Sequence, residues 1–176
     1  MKQTIRVKLI EGDRIIINGT LPKMSSKGDW IDLYTRESVS MHPPVKTVRG
    51  QGKVSSVQFD YKLIPLGLAM ELPPGYEAII APRSSTFKHY GITMANSIGI
   101  VDNSYKGDND EWMFPAIAFK DTVIAENDRI CQFRIQLSQK ATMWQKIKWL
   151  FTDKIEFLQV ESLGNKDRNG IGSTGK

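Results

Sequence analysis

The sequence is poor in the residues that form disulfides and zinc sites. Its 176 residues include one cysteine, Cys131, and two histidines, His42 and His89, which lie far apart. A single cysteine cannot form an intrachain disulfide, and this set is too small for a structural zinc site, so a tightly held metal would depend on carboxylates. The low cysteine content also indicates a reducing compartment, and we expect a cytoplasmic protein.

Long hydrophobic runs are also missing. No apolar stretch approaches the roughly 20 residues that cross a bilayer, and the residues after Met1 alternate in polarity instead of forming a signal-peptide core. We therefore expect no membrane partner. Lysine and arginine outnumber aspartate and glutamate by 24 to 19, a net charge of +5, which admits anionic ligands. Because the basic residues are scattered, nucleic acid is not expected as a partner.

Short apolar or alternating stretches, separated by glycine, proline and asparagine, run along most of the chain. They cover residues 5–9, 13–17, 62–72, 76–81, 91–96, 114–119, 129–137 and 155–160. Asn18-Gly19 is a strong turn signal after the second stretch. Many short strands of this kind predict an all-β sandwich or barrel, and the length suits one domain.

Two polar segments interrupt this pattern. Residues 45–57 are predicted to form an exposed excursion with the basic side chains Lys46, Arg49 and Lys53. Residues 103–111 are predicted to form a long polar turn.

One segment, residues 142–151, has the pattern of a helix. Thr142 and Gln145 form the sequence of a capping box. Apolar residues then recur at helical spacing, with Trp149 outside the stripe, at Met143, Trp144, Ile147, Leu150 and Phe151. This stripe is expected to pack on its own domain or on a neighbouring subunit; the alternative is a helix that binds a partner protein or a membrane surface.

Three segments carry polar groups suited to a phosphorylated ligand. Arg83-Ser84-Ser85 offers a guanidinium fork and two hydroxyls, although a surface ion pair is the plainer interpretation. Asp102 ends an apolar run and Tyr105 follows it, so the carboxylate is a candidate proton acceptor and the ring a flat surface for a sugar or base. The alternative is a solvated turn aspartate beside a core tyrosine. Asn96 offers a donor and an acceptor that match an imide edge.

The last residues resemble a phosphate-binding loop only in part. Gly170 to Lys176 fit the spacing Gly-x-x-x-x-Gly-Lys, but a P-loop lies between a strand and a helix, and its lysine precedes serine or threonine. We therefore do not expect a P-loop NTPase. Glycines with neighbouring hydroxyls can still form an anion-binding nest.

Five segments follow one another along the chain: Gly28-Asp29-Trp30-Ile31-Asp32-Leu33, Pro82-Arg83-Ser84-Ser85, Gly99 to Gly107, Arg129-Ile130-Cys131-Gln132-Phe133 and Asn169 to Gly175. Together, and in this order, they resemble the five motifs of the homotrimeric dUTP pyrophosphatases (dUTPases). Each motif alone is weak, and the third matches most closely. The first and third motifs look most similar to those of Gram-positive bacteria and their phages.

The resemblance implies an all-β fold of the dUTPase type, a distorted jelly-roll barrel or sandwich with a short helix near residues 142–151. It also implies a homotrimer with active sites shared between subunits. Residues 1–160 would form the β domain, with an insert at 139–154. Residues 161–176 would form a mobile, glycine-rich arm that closes a neighbouring subunit's site.

The implied reaction is hydrolysis of dUTP to dUMP and pyrophosphate with Mg²⁺ on the triphosphate, which keeps uracil out of DNA and supplies dUMP. Asp102 would orient and activate the water that attacks the α-phosphorus. Gln132 would contact a phosphate or that water. Asp32 would support Mg²⁺ through its water ligands, because Mg²⁺ keeps several of them.

The other matched residues are expected to bind the substrate. They are Arg83, Ser84 and Ser85 on phosphate oxygens, Asn96 and the strand at Ile100 on uracil, Tyr105 on the deoxyribose, Lys166 or Arg168 on the γ-phosphate, and Ile171, Gly172, Ser173 and Thr174 in the arm. Ordering of the arm by substrate would exclude water from the site.

The chain departs from the family pattern near its end. Ile171 stands where the family usually has a phenylalanine that caps uracil, and Trp112 is a candidate for that role. The arginine that usually precedes the glycines has two possible matches, Lys166 by count and Arg168 by identity. Residues 139–154 exceed what the family core needs, and they either pack on the trimer or recruit a partner protein.

Two other functions stay open. A dCTP deaminase of the related fold would carry a His-Arg arrangement before the third-motif aspartate, whereas Ile98-Gly99-Ile100-Val101 precedes Asp102 here. A phage or host regulator that binds a protein with this fold, and hydrolyses dUTP weakly, is motivated by the insert at 139–154.

Overall fold

Short strands are the main regular structure of the described chain. The computed structural model describes residues 2–10, 22, 28–49 and 53–168. The strands are β1 (Lys2–Leu9), β2 (Ile31–Tyr34), β3 (Val39–Met41), β4 (Val45–Arg49), β5 (Lys53–Gln58), β6 (Tyr61–Pro65), β7 (Leu68–Glu71), β8 (Tyr76–Pro82), β9 (Ile92–Met94), β10 (Gly99–Asp102), β11 (Met113–Ala118), β12 (Thr122–Ile124), β13 (Arg129–Leu137) and β14 (Lys154–Gln159). The described helices are α1 (Thr86–Tyr90) and α2 (Met143–Leu150). The predicted all-β fold is confirmed.

The strands form small sheets in a sandwich-like arrangement. A four-stranded antiparallel sheet has the order β10-β8-β13-β2. A three-stranded sheet, β14-β1-β7, pairs β14 with β1 in parallel. A second three-stranded sheet, β6-β11-β9, and the pairs β12-β3 and β4-β5 complete the described sheets.

Aromatic side chains join the four-stranded sheet to the sheet that contains β14. Phe133 of β13 lies edge-on to Trp112, with ring centroids 5.3 Å apart, and to Phe157 of β14, with centroids 6.0 Å apart. Phe133 and Trp112 are fully buried. Burial of a side chain of this size contributes about 1.5–3 kcal/mol, so this row of rings fixes the sheet that carries most of the predicted site residues.

Most of the predicted strands are confirmed. The stretches at 5–9, 76–81, 91–96, 114–119, 129–137 and 155–160 coincide with β1, β8, β9, β11, β13 and β14. The stretch at 62–72 is two strands, because Gly67 adopts φ +69° and turns the chain between β6 and β7. The stretch at 13–17 and the Asn18-Gly19 turn lie outside the described residues.

The two polar segments behave as predicted. Residues 45–58 contain the hairpin of β4 and β5, and residues 45–48 and 55–58 are exposed. Residues 103–111 contain neither helix nor strand. Among the helices that the structure describes, none is long and apolar enough to cross a membrane.

Helix α2 begins as the sequence predicts. The Thr142 hydroxyl accepts a hydrogen bond from the Gln145 backbone, and Gln145 Oε1 accepts one from the Thr142 backbone at 2.7 Å. This capping box satisfies two of the N–H groups that a helix start leaves open. The helix is therefore a defined element between β13 and β14 in the chain.

The apolar stripe of α2 is exposed within this chain. Met143, Trp144 and Leu150 keep 70%, 80% and 78% of their surface accessible. Trp149 makes the contact with the domain instead, edge-on to Tyr76 with ring centroids 5.3 Å apart. The prediction that the stripe packs on its own domain is wrong, because α2 turns Trp149, outside the stripe, toward the core. Packing of the stripe on another subunit stays a prediction.

Candidate active site

The residues predicted for catalysis and phosphate binding lie on one sheet, in two separate rows. In the sheet register, Gln132 of β13 lies between Asp32 of β2 and Ala81 of β8. Asp102, at the end of β10, lies opposite Glu77 near the other end of β8. The rows are about 13 Å apart along β8, and β10 and β2 lie about 14 Å apart across the sheet. Within one chain the two rows are therefore separate.

The first row forms the Arg83 cluster, which consists of Asp32, Arg83, Arg129 and Gln132. Arg83 Nε lies 2.8 Å from Asp32 Oδ1, and Arg129 Nη1 lies 3.3 Å from Asp32 Oδ2. Gln132 Nε2 donates a long hydrogen bond of 3.5 Å to the Pro82 carbonyl. Two guanidinium groups against one carboxylate leave a net positive charge, which suits a phosphate.

A buried threonine holds the turn that carries Arg83. Thr86 is fully buried, and its hydroxyl donates to the Ile130 carbonyl at 2.6 Å and accepts from the Arg83 N–H at 3.1 Å. Ser84 is exposed. Ser85 precedes α1 but makes no side-chain cap bond to it, so its hydroxyl is not committed to the helix. The turn thus presents a guanidinium and two hydroxyls at one end of β8.

The Arg83 cluster does not offer a metal ion a set of direct ligands. Both oxygens of Asp32 face guanidinium groups. Within residues 2–10, 22, 28–49 and 53–168, no three His, Cys, Asp or Glu side chains gather as metal ligands. The donor set fits only an ion held mainly by phosphate oxygens and water, with Asp32 outside that shell.

Cys131 lies within the same sheet, opposite Pro82 and Leu33. Its side chain is fully buried, and burial raises the pKa of its thiol. A protonated, inaccessible thiol is neither a nucleophile nor a metal ligand, so Cys131 is a core residue of this sheet.

The second row ends in Asp102, whose carboxylate accepts three hydrogen bonds. The backbone N–H and the hydroxyl of Ser104 donate to Oδ1, and Arg168 Nη1 donates to Oδ2 at 3.0 Å. Partial burial acts to raise the pKa of the Asp102 carboxyl, but the bonds from Ser104 and Arg168 outweigh it and hold the pKa below its usual value. Asp102 is therefore ionised at neutral pH, as a proton acceptor must be.

Residues 161–168 run against the loop that follows Asp102 in the same chain. Asp110, which is 1% exposed, accepts hydrogen bonds from the backbone N–H groups of Gly107 and Arg168. A Cβ on Gly107 would lie 2.5 Å from the Cα of Asp167, so only glycine permits this approach. The contact fixes the backbone of Arg168 beside the loop.

Two further carboxylates hold the same segment. Asp167 accepts hydrogen bonds from the Asn109 backbone at 3.0 Å and side chain at 2.7 Å. Asp108 accepts from the Ser162 hydroxyl and from the Leu163 N–H, both at 2.7 Å. We call Asp108, Asp110 and Asp167 the carboxylate clamp.

The residues predicted to bind uracil lie at an open edge of the sheet. β10 is the outer strand of its sheet, so backbone groups along one side of it face away from β8. Ile100 of β10 is 61% exposed, and Asn96 is exposed in the turn before this strand. An edge strand with a nearby amide can offer donors and acceptors to an imide.

The two aromatic residues near the third motif have different environments. Tyr105 is partly buried; its hydroxyl donates to the Glu111 carbonyl at 2.9 Å, and burial raises its pKa, aided by the charges of Asp110 and Glu111. Trp112 is 1% exposed and packs on Phe133. The prediction that Trp112 replaces the uracil-capping ring is wrong, because the indole is part of the core.

The structure leaves part of the predicted site undescribed. Lys166 is exposed, whereas Arg168, the other candidate for the γ-phosphate, contacts Asp102. The arm residues lie outside the described residues and stay predictions: Ile171, Gly172, Ser173 and Thr174.

Three residues of the two rows had no predicted role. Arg129 is the first residue of the fourth motif, and its positive charge three residues before Gln132 could have indicated that it contributes to the phosphate-binding cluster. Ser104 follows Asp102 by two residues, the spacing of a side-chain turn that caps a carboxylate. Asp110 had no signal, because its burial depends on the docking of a segment 58 residues later.

Comparisons with known proteins agree with this geometry. Residues 50–148, which contain the second, third and fourth motifs, match the family model for dUTPase. The chain is 43% identical over 171 residues to the SPbeta prophage-derived deoxyuridine 5'-triphosphate nucleotidohydrolase of Bacillus subtilis (strain 168), with 97% of each protein covered.

Solved structures share the fold at low sequence identity. The crystal structure of the dUTPase from Streptococcus mutans superposes with a TM-score of 0.60 at 17% identity, covering 77% of this chain and 98% of that one. A mutant dUTPase from phage phi11 of S. aureus, described as coordinating a structural Mg(II) ion, gives a TM-score of 0.58 at 15% identity and covers 80% and 95%.

Proposed function

The chain belongs to the dUTPase family, and on this premise we propose that it hydrolyses dUTP to dUMP and pyrophosphate. The observation that carries the proposal is Asp102, an ionised carboxylate at the end of the exposed edge strand β10. The named activity of the Bacillus relative supports the same reaction.

Asp102 is proposed to act on the attacking water. The water oxygen forms a bond to the α-phosphorus, and the bond from that phosphorus to the oxygen shared with the β-phosphorus breaks. Pyrophosphate leaves with the electron pair, and Asp102 accepts the water proton. Because the carboxyl pKa is low, Asp102 contributes mainly orientation and the removal of a proton as the new bond forms.

The Arg83 cluster is proposed to bind the triphosphate of a site that contains another subunit's Asp102. The separation of the two rows within one chain supports this arrangement, because about 13 Å along β8 is too far for one α-phosphate to touch both. In a homotrimer, the Arg83 cluster of one subunit and Asp102 of another would be the two half-sites of one active site, repeated at three symmetric contacts. Gln132, with its loosely held amide, would contact a phosphate or the water.

Substrate selection is proposed to depend on the β10 edge and Tyr105. Asn96 and the backbone near Ile100 would pair with the uracil imide. Since the Tyr105 hydroxyl is already bonded to Glu111, the ring would serve as a flat surface against C2′ of the deoxyribose and leave no room for a 2′-hydroxyl. With Arg168 on Asp102, exposed Lys166 is the better candidate for the γ-phosphate.

Magnesium is proposed to arrive on the triphosphate. When bound, the ion neutralises phosphate charge. Asp32 would contact only its water shell, since both carboxylate oxygens face Arg83 and Arg129. The phi11 enzyme's structural Mg(II) ion supports a role for this metal in related proteins.

The test is product release from a panel of nucleotides. Pure protein is mixed with dUTP, UTP, dTTP and dCTP, with and without Mg²⁺, and pyrophosphate and ammonia are measured. Pyrophosphate from dUTP alone, dependent on Mg²⁺, is the expected result. Ammonia from dCTP would establish the deaminase instead, and a folded protein that releases neither product would refute the proposal.

A second function, recruitment of a partner protein through the insert at 139–154, is favoured by the exposed stripe of α2. Three large apolar side chains, Met143, Trp144 and Leu150, have at least 70% of their surface accessible in this chain, which is costly unless another molecule covers them. Either a neighbouring subunit or a separate protein would reduce this exposure.

The two possibilities are separated by one variant. Trp144→Ser with Leu150→Ser is compared with a Lys146→Ser control for mass in solution and for dUTP hydrolysis. Loss of the trimer would assign the stripe to a subunit contact and refute recruitment. An intact active trimer that loses a partner captured by the control and the wild type would support it.

A further inference from the structure

Residues 161–168, the first half of the predicted arm, are attached to the loop of the third motif in their own chain. Asp108 and Asp110 of the loop accept hydrogen bonds from residues 162, 163 and 168 of the segment, and Asp167 of the segment accepts two from Asn109 of the loop. One of these carboxylates, Asp110, is 1% exposed. Losing the Arg168 N–H would leave this buried carboxylate partly unpaired, which is costly, so residues 161–168 are held firmly against the loop that follows Asp102.

The docking of residues 161–168 places the Arg168 guanidinium against the Asp102 carboxylate. The Arg168 N–H bonds to both oxygens of Asp110 at 3.0 Å, and its Nη1 reaches Asp102 Oδ2 at 3.0 Å. Because backbone and side chain are each bonded, the guanidinium has one position relative to the carboxylate. A freely rotating arginine at the surface would not have this constraint.

The contacts leave one free acceptor direction on Asp102. A carboxylate has about four lone-pair positions. The Ser104 N–H and hydroxyl fill two positions on Oδ1, and Arg168 fills one on Oδ2. The remaining position on Oδ2 is where a water can donate.

The other charged and titratable groups around Asp102 favour no alternative partner. On β8, the residue opposite is Glu77, which accepts a hydrogen bond from Gln136 of β13 at 2.7 Å. In the loop, Asp110 is bonded to Gly107 and to the Arg168 backbone. Among the described contacts of Asp102, Arg168 supplies the only positive charge.

We propose that Arg168 is a positioning residue for Asp102 of its own subunit, and that together with Ser104 it restricts the carboxylate to a single direction for the attacking water. The inference rests on the proposed dUTP hydrolysis. It assigns Arg168 to the subunit that supplies Asp102 and to the carboxylate instead of the γ-phosphate.

The first test separates a positioning role from phosphate binding. Arg168→Gln, Arg168→Lys and the control Lys46→Gln, at an exposed residue of β4 away from both rows, are compared in kcat, KM and the pH profile of kcat. Arg168→Gln is expected to lower kcat by about 10-fold or more and to move the acid limb to higher pH, because the cation that stabilises the charged carboxylate is gone. Arg168→Lys should restore most of both.

A different result in the Arg168→Gln variant would contradict the positioning role. A raised KM with an unmoved acid limb in Arg168→Gln would place the guanidinium on phosphate and overturn the proposal. Carbon NMR of the Asp102 carboxyl gives a reading without turnover: its titration should move to higher pH in Arg168→Gln. This reading stands even if the protein does not hydrolyse dUTP, so the two proposals fail separately.

The second test asks which subunit supplies Arg168. Chains with Asp102→Asn and chains with Arg168→Gln carry different tags, and trimers that contain both are isolated. If Arg168 serves its own subunit, every functional Asp102 lies beside Gln at position 168, and the acid limb stays shifted. Return of the wild-type rate and limb would mean that Arg168 comes from another subunit and would overturn the assignment.

Discussion

Single residues in this site are defined by what already occupies their polar atoms. Three hydrogen bonds hold the Asp102 carboxylate, and one bond holds the Tyr105 hydroxyl. Asp102 therefore has little freedom to rotate, and Tyr105 has no donor left for a sugar. The two residues make different predictions when they are substituted.

Asp102→Asn is expected to keep dUTP binding and to lose turnover by on the order of 10²-fold or more, because the amide has the same shape but cannot accept the water proton. Binding is measured by calorimetry and turnover by pyrophosphate release. Asp121→Asn, at an exposed residue that pairs with His42, is the control. Near-normal turnover of Asp102→Asn would remove this carboxylate from the chemistry.

Tyr105→Phe and Tyr105→Ala should differ in selectivity. The phenylalanine variant keeps the ring and should keep the preference for dUTP over UTP, while the unpaired Glu111 carbonyl costs about 1–3 kcal/mol in the free energy of unfolding. The alanine variant loses the ring and should accept UTP more readily. The measurement is the ratio of kcat/KM for dUTP to kcat/KM for UTP. Equal ratios in wild type and Tyr105→Ala would show that another group excludes the 2′-hydroxyl.

At the scale of elements, the loop of the third motif and residues 161–168 form one unit held by carboxylates and one glycine. Gly107→Ala would place a Cβ 2.5 Å from the Asp167 Cα. We expect a loss of about 1–3 kcal/mol in stability from this overpacking and a partial shift of the acid limb of kcat toward that of Arg168→Gln. Gly28→Ala, where a Cβ meets nothing within 4 Å, is the control and should leave the limb unchanged.

The clamp also predicts a dependence on pH. Bonds from the Ser162 hydroxyl and the Leu163 N–H hold the pKa of Asp108 below its usual value, and bonds from Asn109 do the same for Asp167. A lowered folded-state pKa stabilises docking above the usual aspartate pKa, about 4, and this contribution is lost as pH falls through the folded value.

Docking of residues 161–168 should therefore weaken at acid pH. Amide NMR signals of Leu163 and Asn109 should move together with the carboxyl signals of Asp108 and Asp167. The Gly91 N–H, which bonds to the Phe87 carbonyl, serves as a reference away from the clamp. Titration of Asp108 with no response at Leu163 would contradict the role of this bond.

The elements that the sequence predicts well are those whose pattern is local. Alternation over nine residues marks β13 from Arg129 to Leu137, and Thr142 with Gln145 marks the start of α2. The five residues of α1 and the three of β3 are too short to show a period. The orientation of α2 was missed because it depends on Trp149 meeting Tyr76, a contact across 73 residues of sequence.

The candidate site also contains residues that local sequence predicts and a contact that it does not predict. Motif order locates Arg83, Asp102 and Gln132, since their chemistry is visible in short segments. The partnership of Arg168 with Asp102 spans 66 residues, and no local pattern encodes it. It follows from the docking of residues 161–168, which only the folded chain displays.

At the scale of the whole molecule, the two half-sites predict complementation between subunits. Arg83→Ala and Asp102→Asn should each be inactive alone, because every site lacks one half. Trimers that contain both chains should regain part of the activity, since some sites then combine an intact Arg83 with an intact Asp102. Pyrophosphate release from isolated mixed trimers is the measurement, and mixed trimers without activity would mean that both residues must come from one chain.

Cys131 gives the molecule a built-in reporter of its own unfolding. It is the only cysteine of the chain, it is fully buried in β13, and its thiol pKa is raised. A fluorogenic thiol reagent should therefore label the native protein only as fast as the sheet opens. The labelling rate of unmodified protein, with and without a bound nucleotide, would measure how strongly the ligand suppresses opening of the strand that carries Gln132.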